Sequence, residues 1–121
     1  MAEVKNSGLT FELPFPPSVN SMYRAFRRGN ICTTIMSKKG REYVEDVRDC
    51  VQVSVPLTVR LEVRIELYPP DNRRRDIDNY AKSVLDSLTK SGVWEDDSQI
   101  DKLTIIRCAN ENKCLIFINE I

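Results

Sequence analysis

Between Leu57 and Leu67 every odd-numbered residue is apolar (Leu57, Val59, Leu61, Val63, Ile65, Leu67). Every even-numbered one is Thr, Arg or Glu. A period of two puts one side of an extended chain in the dry and the other in water, whereas a helix would smear the same residues around its whole circumference. The segment is therefore predicted as a strand. Its clean division into an apolar and a charged face calls for a sheet covered by helices on one side only. Pro69-Pro70-Asp71-Asn72 ends it, because proline cannot donate to a ladder.

The flanking patterns supply the helices. Ser37 is placed as an N-cap for a helix over about 38–54, with Tyr43, Val44, Val47, Cys50, Val51 and Ser54 near one face. A second helix is expected from about Asp78 to Lys90, its buried stripe being Tyr80, Ala81, Val84, Leu85 and Leu88, with Gly92 to terminate it. Leu9–Leu13 alternates as a strand and is stopped by Pro14, Pro16 and Pro17. The basic stretch from Ser18 to about Met36 reads as a loop or short hairpin. Leu103–Ala109 and Cys114–Ile121 read as two strands joined in a hairpin at Asn110-Glu111-Asn112-Lys113. The order β-α-β-α-β-β predicts an α/β (α+β) fold of two layers, a mixed sheet with helices on one face. A chain of 121 residues has room for one such domain, over 1–121.

Composition narrows the chemistry. There is no histidine, so no mechanism with a histidine base is open, and the four cysteines (Cys32, Cys50, Cys108, Cys114) contain no Cys-x-x-Cys pair for zinc. They are expected as free thiols, mostly in the core, of a cytoplasmic protein. The first eight residues do not read as a secretory leader. Lysine and arginine balance aspartate and glutamate at 18 each, but unevenly along the chain. Arg24, Arg27, Arg28, Lys38, Lys39 and Arg41 form a run without an acid, and Arg73, Arg74 and Arg75 form a second block. Glu95, Asp96, Asp97 and Asp101 crowd together further on. Such a chain can set a polyanion on its basic segments and a cation on its acidic ones; either run also fits plain solvated surface.

Asp76 and Asp78 flank one residue just before the second helix. In extended backbone, positions two apart face the same side at about 6.5–7 Å, so both carboxylates can converge on a hard cation such as Mg²⁺. Ile77 then points to the core. Lys82, one turn past Asp78, is placed to reach a phosphate at that cation. Without histidine, water activated by a divalent metal is the natural nucleophile. The same residues also fit an ordinary helix start. Asp78 would be the N-cap, Asp78–Lys82 an ion pair worth roughly 0.3–0.5 kcal/mol, and Asp76 a partner for an arginine. An EF-hand is excluded by the spacing and the missing glycine, and no glycine-rich phosphate loop precedes a helix. The acids after Trp94 turn back towards Asp76 and Asp78 if Val93 and Trp94 anchor their connection in the core.

The string from Leu13-Pro14-Phe15-Pro16-Pro17-Ser18-Val19-Asn20 through Tyr23-Arg24 resembles the RusA-type crossover-junction endonucleases of bacteria and their prophages. So do Arg73-Arg74-Arg75-Asp76-Ile77-Asp78-Asn79 with Lys82, and Asp86 through Ile100. The resemblance implies that Asp76, Asp78 and Asp97 bind Mg²⁺ (with Mn²⁺ a possible substitute), that Asp96 is the alternative third ligand, and that Lys82 is catalytic. It also implies a homodimer that nicks four-way (Holliday) DNA junctions symmetrically, in recombination and repair. Arg24, Arg27, Arg28, Lys38, Lys39, Arg73, Arg74 and Arg75 are then the expected DNA contacts, and Tyr23 and Phe26 fit either stacking on bases at the branch point or anchoring of the core or loop. Two other readings stay open: a branched-DNA-binding protein without nuclease activity, and a nuclease acting on forks, flaps or RNA.

Overall fold

In the computed structural model, which describes residues 8–121, the elements are β1 (Leu9–Leu13), α1 (Val19–Met22), β2 (Tyr23–Arg28), β3 (Ile31–Met36) and α2 (Lys38–Val51). Then come β4 (Leu61–Tyr68), α3 (Ile77–Lys90), a 3₁₀ turn (Asp97–Gln99), β5 (Ile100–Arg107) and β6 (Lys113–Glu120). The stretch read above as lacking a leader lies, but for Gly8, outside the described residues. The α/β class and the mixed sheet are as expected. Four strands run in the order β1-β6-β4-β5, with β4 and β5 parallel and the other two pairs antiparallel.

That order corrects one expectation. β5 and β6 are consecutive but do not form a hairpin, because β4 lies between them and pairs with both. The connection instead crosses the end of β4, where the amides of Cys108 and Asn112 donate to the carbonyls of Leu67 and Pro69. A strand as apolar on one side as β4 is most stable with both edges paired, and a β4-α3-β5 crossover supplies the parallel neighbour.

β4 itself is shorter than its alternating pattern. Ladder pairing begins at Leu61, and Leu57 makes an isolated bridge to Trp94 instead. Leu61, Val63, Ile65 and Leu67 of β4 join Cys114, Ile116 and Ile118 of β6 under Tyr43, Val44, Val47 and Val51 of α2 and Ala81, Val84, Leu85 and Leu88 of α3. The opposite sheet face carries Glu62, Arg64, Phe117 and Asn119. Val59 stays 41% exposed, since the bridge at Leu57 takes that stretch away from the sheet.

α2 ends at Val51 rather than Ser54, with Gln52 left-handed at φ 44°. Cys50, expected on its dry face, is exposed, as is Cys32, while Cys108 is half-buried; only Cys114 is buried, and all four are free thiols. α3 closes on the glycine foreseen for it. Gly92 has φ 82°, and the Val93 and Gly92 amides donate to the Leu88 and Thr89 carbonyls, a Schellman arrangement.

The basic stretch of 18–36 is ordered as a one-turn helix and a hairpin, β2 against β3, turning at Gly29-Asn30 with Gly29 at φ 60°. Its base is fixed to α2. The Ser37 hydroxyl donates to the carbonyls of Ser21 and Met22 and accepts from the Gly40 amide, and the Met22 carbonyl presses on Gly40 where a Cβ would collide. No helix among the described residues is long and apolar enough to cross a membrane.

Candidate active site

The segment before α3 is braced by its own side chains. Arg75 has a side chain only 9% exposed; it pairs with Asp71 at 2.9 Å and donates to the Asp71 and Arg73 carbonyls. It also lies 5.5 Å from the Phe15 ring and 5.9 Å from that of Tyr80, a cation–π clamp. The Arg75 hydrogen bond, helped by the Arg73 amide, holds the Asp71 carboxyl down at about 2. Arg107 donates to the Arg75 carbonyl at 2.6 Å. Arg73 and Arg74, by contrast, are exposed, and with Phe15, Pro16, Lys39 and Tyr80 they line a cleft of about 570 Å³.

This scaffold delivers Asp76 to the start of α3. Asp76 occupies the N-cap position with extended backbone (φ −90°, ψ 120°), yet its side chain makes no capping bond. Ile77 is already helical and packs on the core, so Asp78 sits in the first turn, not in an extended run; the extended pair expected from spacing is replaced by a cap and a first-turn residue. The ordinary roles foreseen for these acids are not filled. Asp78 is not the cap, Arg75 and Arg73 pair with Asp71, and Lys82 pairs with Asp86 rather than Asp78. Asp76 and Asp78 are exposed carboxylates with no ion pair or side-chain hydrogen bond among the described residues.

Lys82 is the next turn along α3, and its ammonium donates to Asp86 at 2.8 Å. That hydrogen bond raises the Lys82 pKa above its ordinary value, and the charge of Asp97 adds to the effect. Asp97 and Lys82 face one recess of about 250 Å³, bordered also by Tyr23, Asp86 and Asp96. Val93 and Trp94 are 0% and 1% exposed, so the connection is anchored in the core as expected, and the indole N–H donates to Thr89 at 2.6 Å.

Two residues given no role from sequence hold the site in place, one at the acidic turn and one at Lys82. Gln99 is buried; its side-chain oxygen accepts from the Glu95 and Asp96 amides at 2.9 Å each, and its nitrogen donates to the carbonyls of Leu57 and Val59. Asp86 is the other, and an acid four residues after a lysine gives little sign that it will be more than a surface partner. Asp96 is spent locally. Its carboxylate caps the 3₁₀ turn by accepting from Ser98, which holds its pKa below the usual range. Asp97 has no such commitment.

Asp97 thus shares a recess with Lys82, while Asp76 and Asp78 stand at the head of the helix on which that lysine lies. Among the described residues no three acids, cysteines or histidines are gathered closely enough to form a ready metal cage. The donor chemistry nevertheless fits a hard cation: uncommitted carboxylate oxygens, few in number, suit Mg²⁺, which keeps several waters. Of the expected DNA contacts, Arg24, Arg27, Arg28, Lys38 and Lys39 are exposed, the first three on the β2 arm and its turn. Phe26 is 37% exposed beneath Arg24, whereas the Tyr23 hydroxyl is bound to Asp86.

The family model for endodeoxyribonuclease RusA matches residues 14–119. The chain is 41% identical over 100 residues to the crossover junction endodeoxyribonuclease rusA of Enterobacteria phage HK97, covering 80% of each chain. It is 39% identical over 98 residues to that of Enterobacteria phage 82 and 38% over 98 to that of Escherichia coli strain K12, covering 78% of each chain in both cases.

Proposed function

This chain belongs to the RusA endodeoxyribonuclease family, and on that premise we propose that it is a Mg²⁺-dependent endonuclease that resolves four-way DNA junctions by paired nicks. The observation that carries the chemistry is the face of α3: Asp78 and Lys82 lie a turn apart, the acid uncommitted, with Asp97 brought beside the lysine. The described residues work as one endonuclease domain, acting on DNA in the cytoplasm, at the nucleoid.

Asp76, Asp78 and Asp97 would hold the cation, with Mn²⁺ as a substitute, and Asp96 is left to its capping role. When bound, a divalent ion makes water a competent nucleophile at neutral pH and polarises the phosphate. Lys82 presents a fixed positive charge to a phosphate oxygen and stabilises the negative charge that develops there during cleavage. Arg73 and Arg74 grip flanking phosphates along the cleft they line; Arg75 contributes by shaping that segment and reaches a phosphate only by leaving Asp71. The β2 arm, with Arg24, Arg27 and Arg28, and the start of α2, with Lys38 and Lys39, contact the junction arms.

A junction has two-fold symmetry, and paired nicks require two sites in fixed relation, so the active species is a homodimer. Sedimentation of a monomer that cuts junctions fully would exclude it. The deciding experiment incubates the protein with a four-way junction, a fork and a linear duplex, in Mg²⁺ or in EDTA, beside Asp76→Asn. Paired nicks confined to the junction and to Mg²⁺, with binding kept and cutting lost in the variant, are expected. Binding without cutting under any divalent ion would mark a non-catalytic junction-binding protein, and equal cutting of fork and junction a nuclease of broader substrate range.

A further inference from the structure

The carboxylate of Asp86 divides its two oxygens between two elements. One accepts from the Lys82 ammonium at 2.8 Å, and the other accepts from the Tyr23 hydroxyl at 2.8 Å. Lys82 and Asp86 are four apart on α3, but with the lysine nearer the N-terminus, the weaker of the two orders for a helical ion pair. Helix energetics therefore does not explain why the pair is so well formed. Tyr23 does. It comes from the first position of β2, where the Ser37 bonds to the two preceding carbonyls fix the chain, and its hydroxyl holds Asp86 in one rotamer. The Asp86 side chain is 17% exposed and that of Lys82 55%, so a largely covered acid steers a largely open base.

We propose that Asp86 and Tyr23 are positioning residues: together they hold the Lys82 ammonium at the recess it shares with Asp97, and Tyr23 ties that lysine to the base of the basic hairpin. This rests on the catalytic role given to Lys82 above. Left to itself, a lysine on an open helix face samples many rotamers, and each one lost beforehand need not be lost at the moment of reaction.

The test is a double-mutant cycle on single-turnover junction cutting in Mg²⁺, with junction binding and melting temperature measured for each protein. Asp86→Asn is expected to slow cutting on the order of 10- to 100-fold, with binding retained, and Tyr23→Phe roughly 2- to 10-fold, the loss of one hydrogen bond. Asp86→Glu should recover part of the rate. In a Lys82→Ala background, Asp86→Asn should cost nothing further; Lys82→Arg serves as the background if Lys82→Ala leaves no measurable cutting. A purely structural Asp86 would instead slow every background equally and lower the melting temperature in step. Full-rate cutting by Asp86→Asn, or losses that simply multiply with those of Lys82, would overturn the inference alone. Full-rate cutting by Lys82→Ala would overturn the catalytic reading beneath it.

Discussion

α2 and α3 are both 14 residues long and both pack their apolar stripe on the sheet, yet they begin differently. α2 starts on Ser37, whose hydroxyl takes the Gly40 amide as a good cap should. α3 starts on Asp76, a residue type as well suited to the task, and its carboxylate leaves the amides alone. A helix start that forgoes about 1 kcal/mol of capping has kept an oxygen donor free, and Asp78, within the same first turn, is equally uncommitted. The contrast separates a helix start closed by its cap from one whose first-turn carboxylates stay uncommitted, as the proposed cation site requires.

The comparison breaks most visibly at Asp76. Asp76→Ala should lower junction cutting by a factor on the order of 10² to 10³ while shifting the thermal unfolding midpoint little, because no native bond is lost; a large drop in stability with cutting intact would reverse the roles of the two helices. Next in size is the double substitution of Arg27 and Arg28 by alanine. It should weaken junction binding and reduce the slope of log K against log salt by about 1.8, leaving cutting at saturation near normal; an unchanged slope would remove the hairpin from the footprint. Ser37→Ala should behave as the mirror of Asp76→Ala, losing about 1 kcal/mol in denaturant unfolding with far less effect on cutting.

The smallest effect concerns the Asp71–Arg75 pair that braces the entrance to α3. Its carboxyl has a folded pKa depressed from 3.8 to about 2, so its stabilisation is present above about pH 4 and is lost as the pH falls towards 2. Asp71→Asn should therefore melt slightly earlier than the parent near neutrality, and the gap should close on acidification over that window. A gap that widens there would contradict the assigned pairing.

What could be read from the sequence followed the range of the interactions involved. β1, the helix start at Ser37, the glycine stop at Gly92 and the buried stripe of α3, save Tyr80, which is only half-buried, depend on neighbours within a few residues and are legible to within a residue or two. Strand partners depend on the whole chain, so the Leu103–Ala109 and Cys114–Ile121 strands were found but wrongly joined to each other. The alternation from Leu57 was overextended because the first four residues satisfy themselves against Trp94 and Gln99, distant in sequence. At the site, spacing alone suggested Lys82 with Asp78; Tyr23, 63 positions before Asp86, tips the lysine the other way. Between Asp96 and Asp97 only the family resemblance expresses a preference, for Asp97; the bond from Ser98 that occupies the Asp96 carboxylate closes a turn that residue spacing does not reveal.

The placement of β4 between β5 and β6 bears on how the molecule is made. β6, made after both of its partners, must find β4 and β1, and its register with β1 joins Leu9 to Ile118. Such pairings cannot zip up from a local turn and carry the loop-closure cost of long-range contacts, so folding is expected to be slow for a chain of this size. The sheet against which α3 is seated stays incomplete until that strand arrives. A nascent chain therefore carries α3 before it has the full sheet that seats it, and nuclease activity waits until β6 has been made and paired.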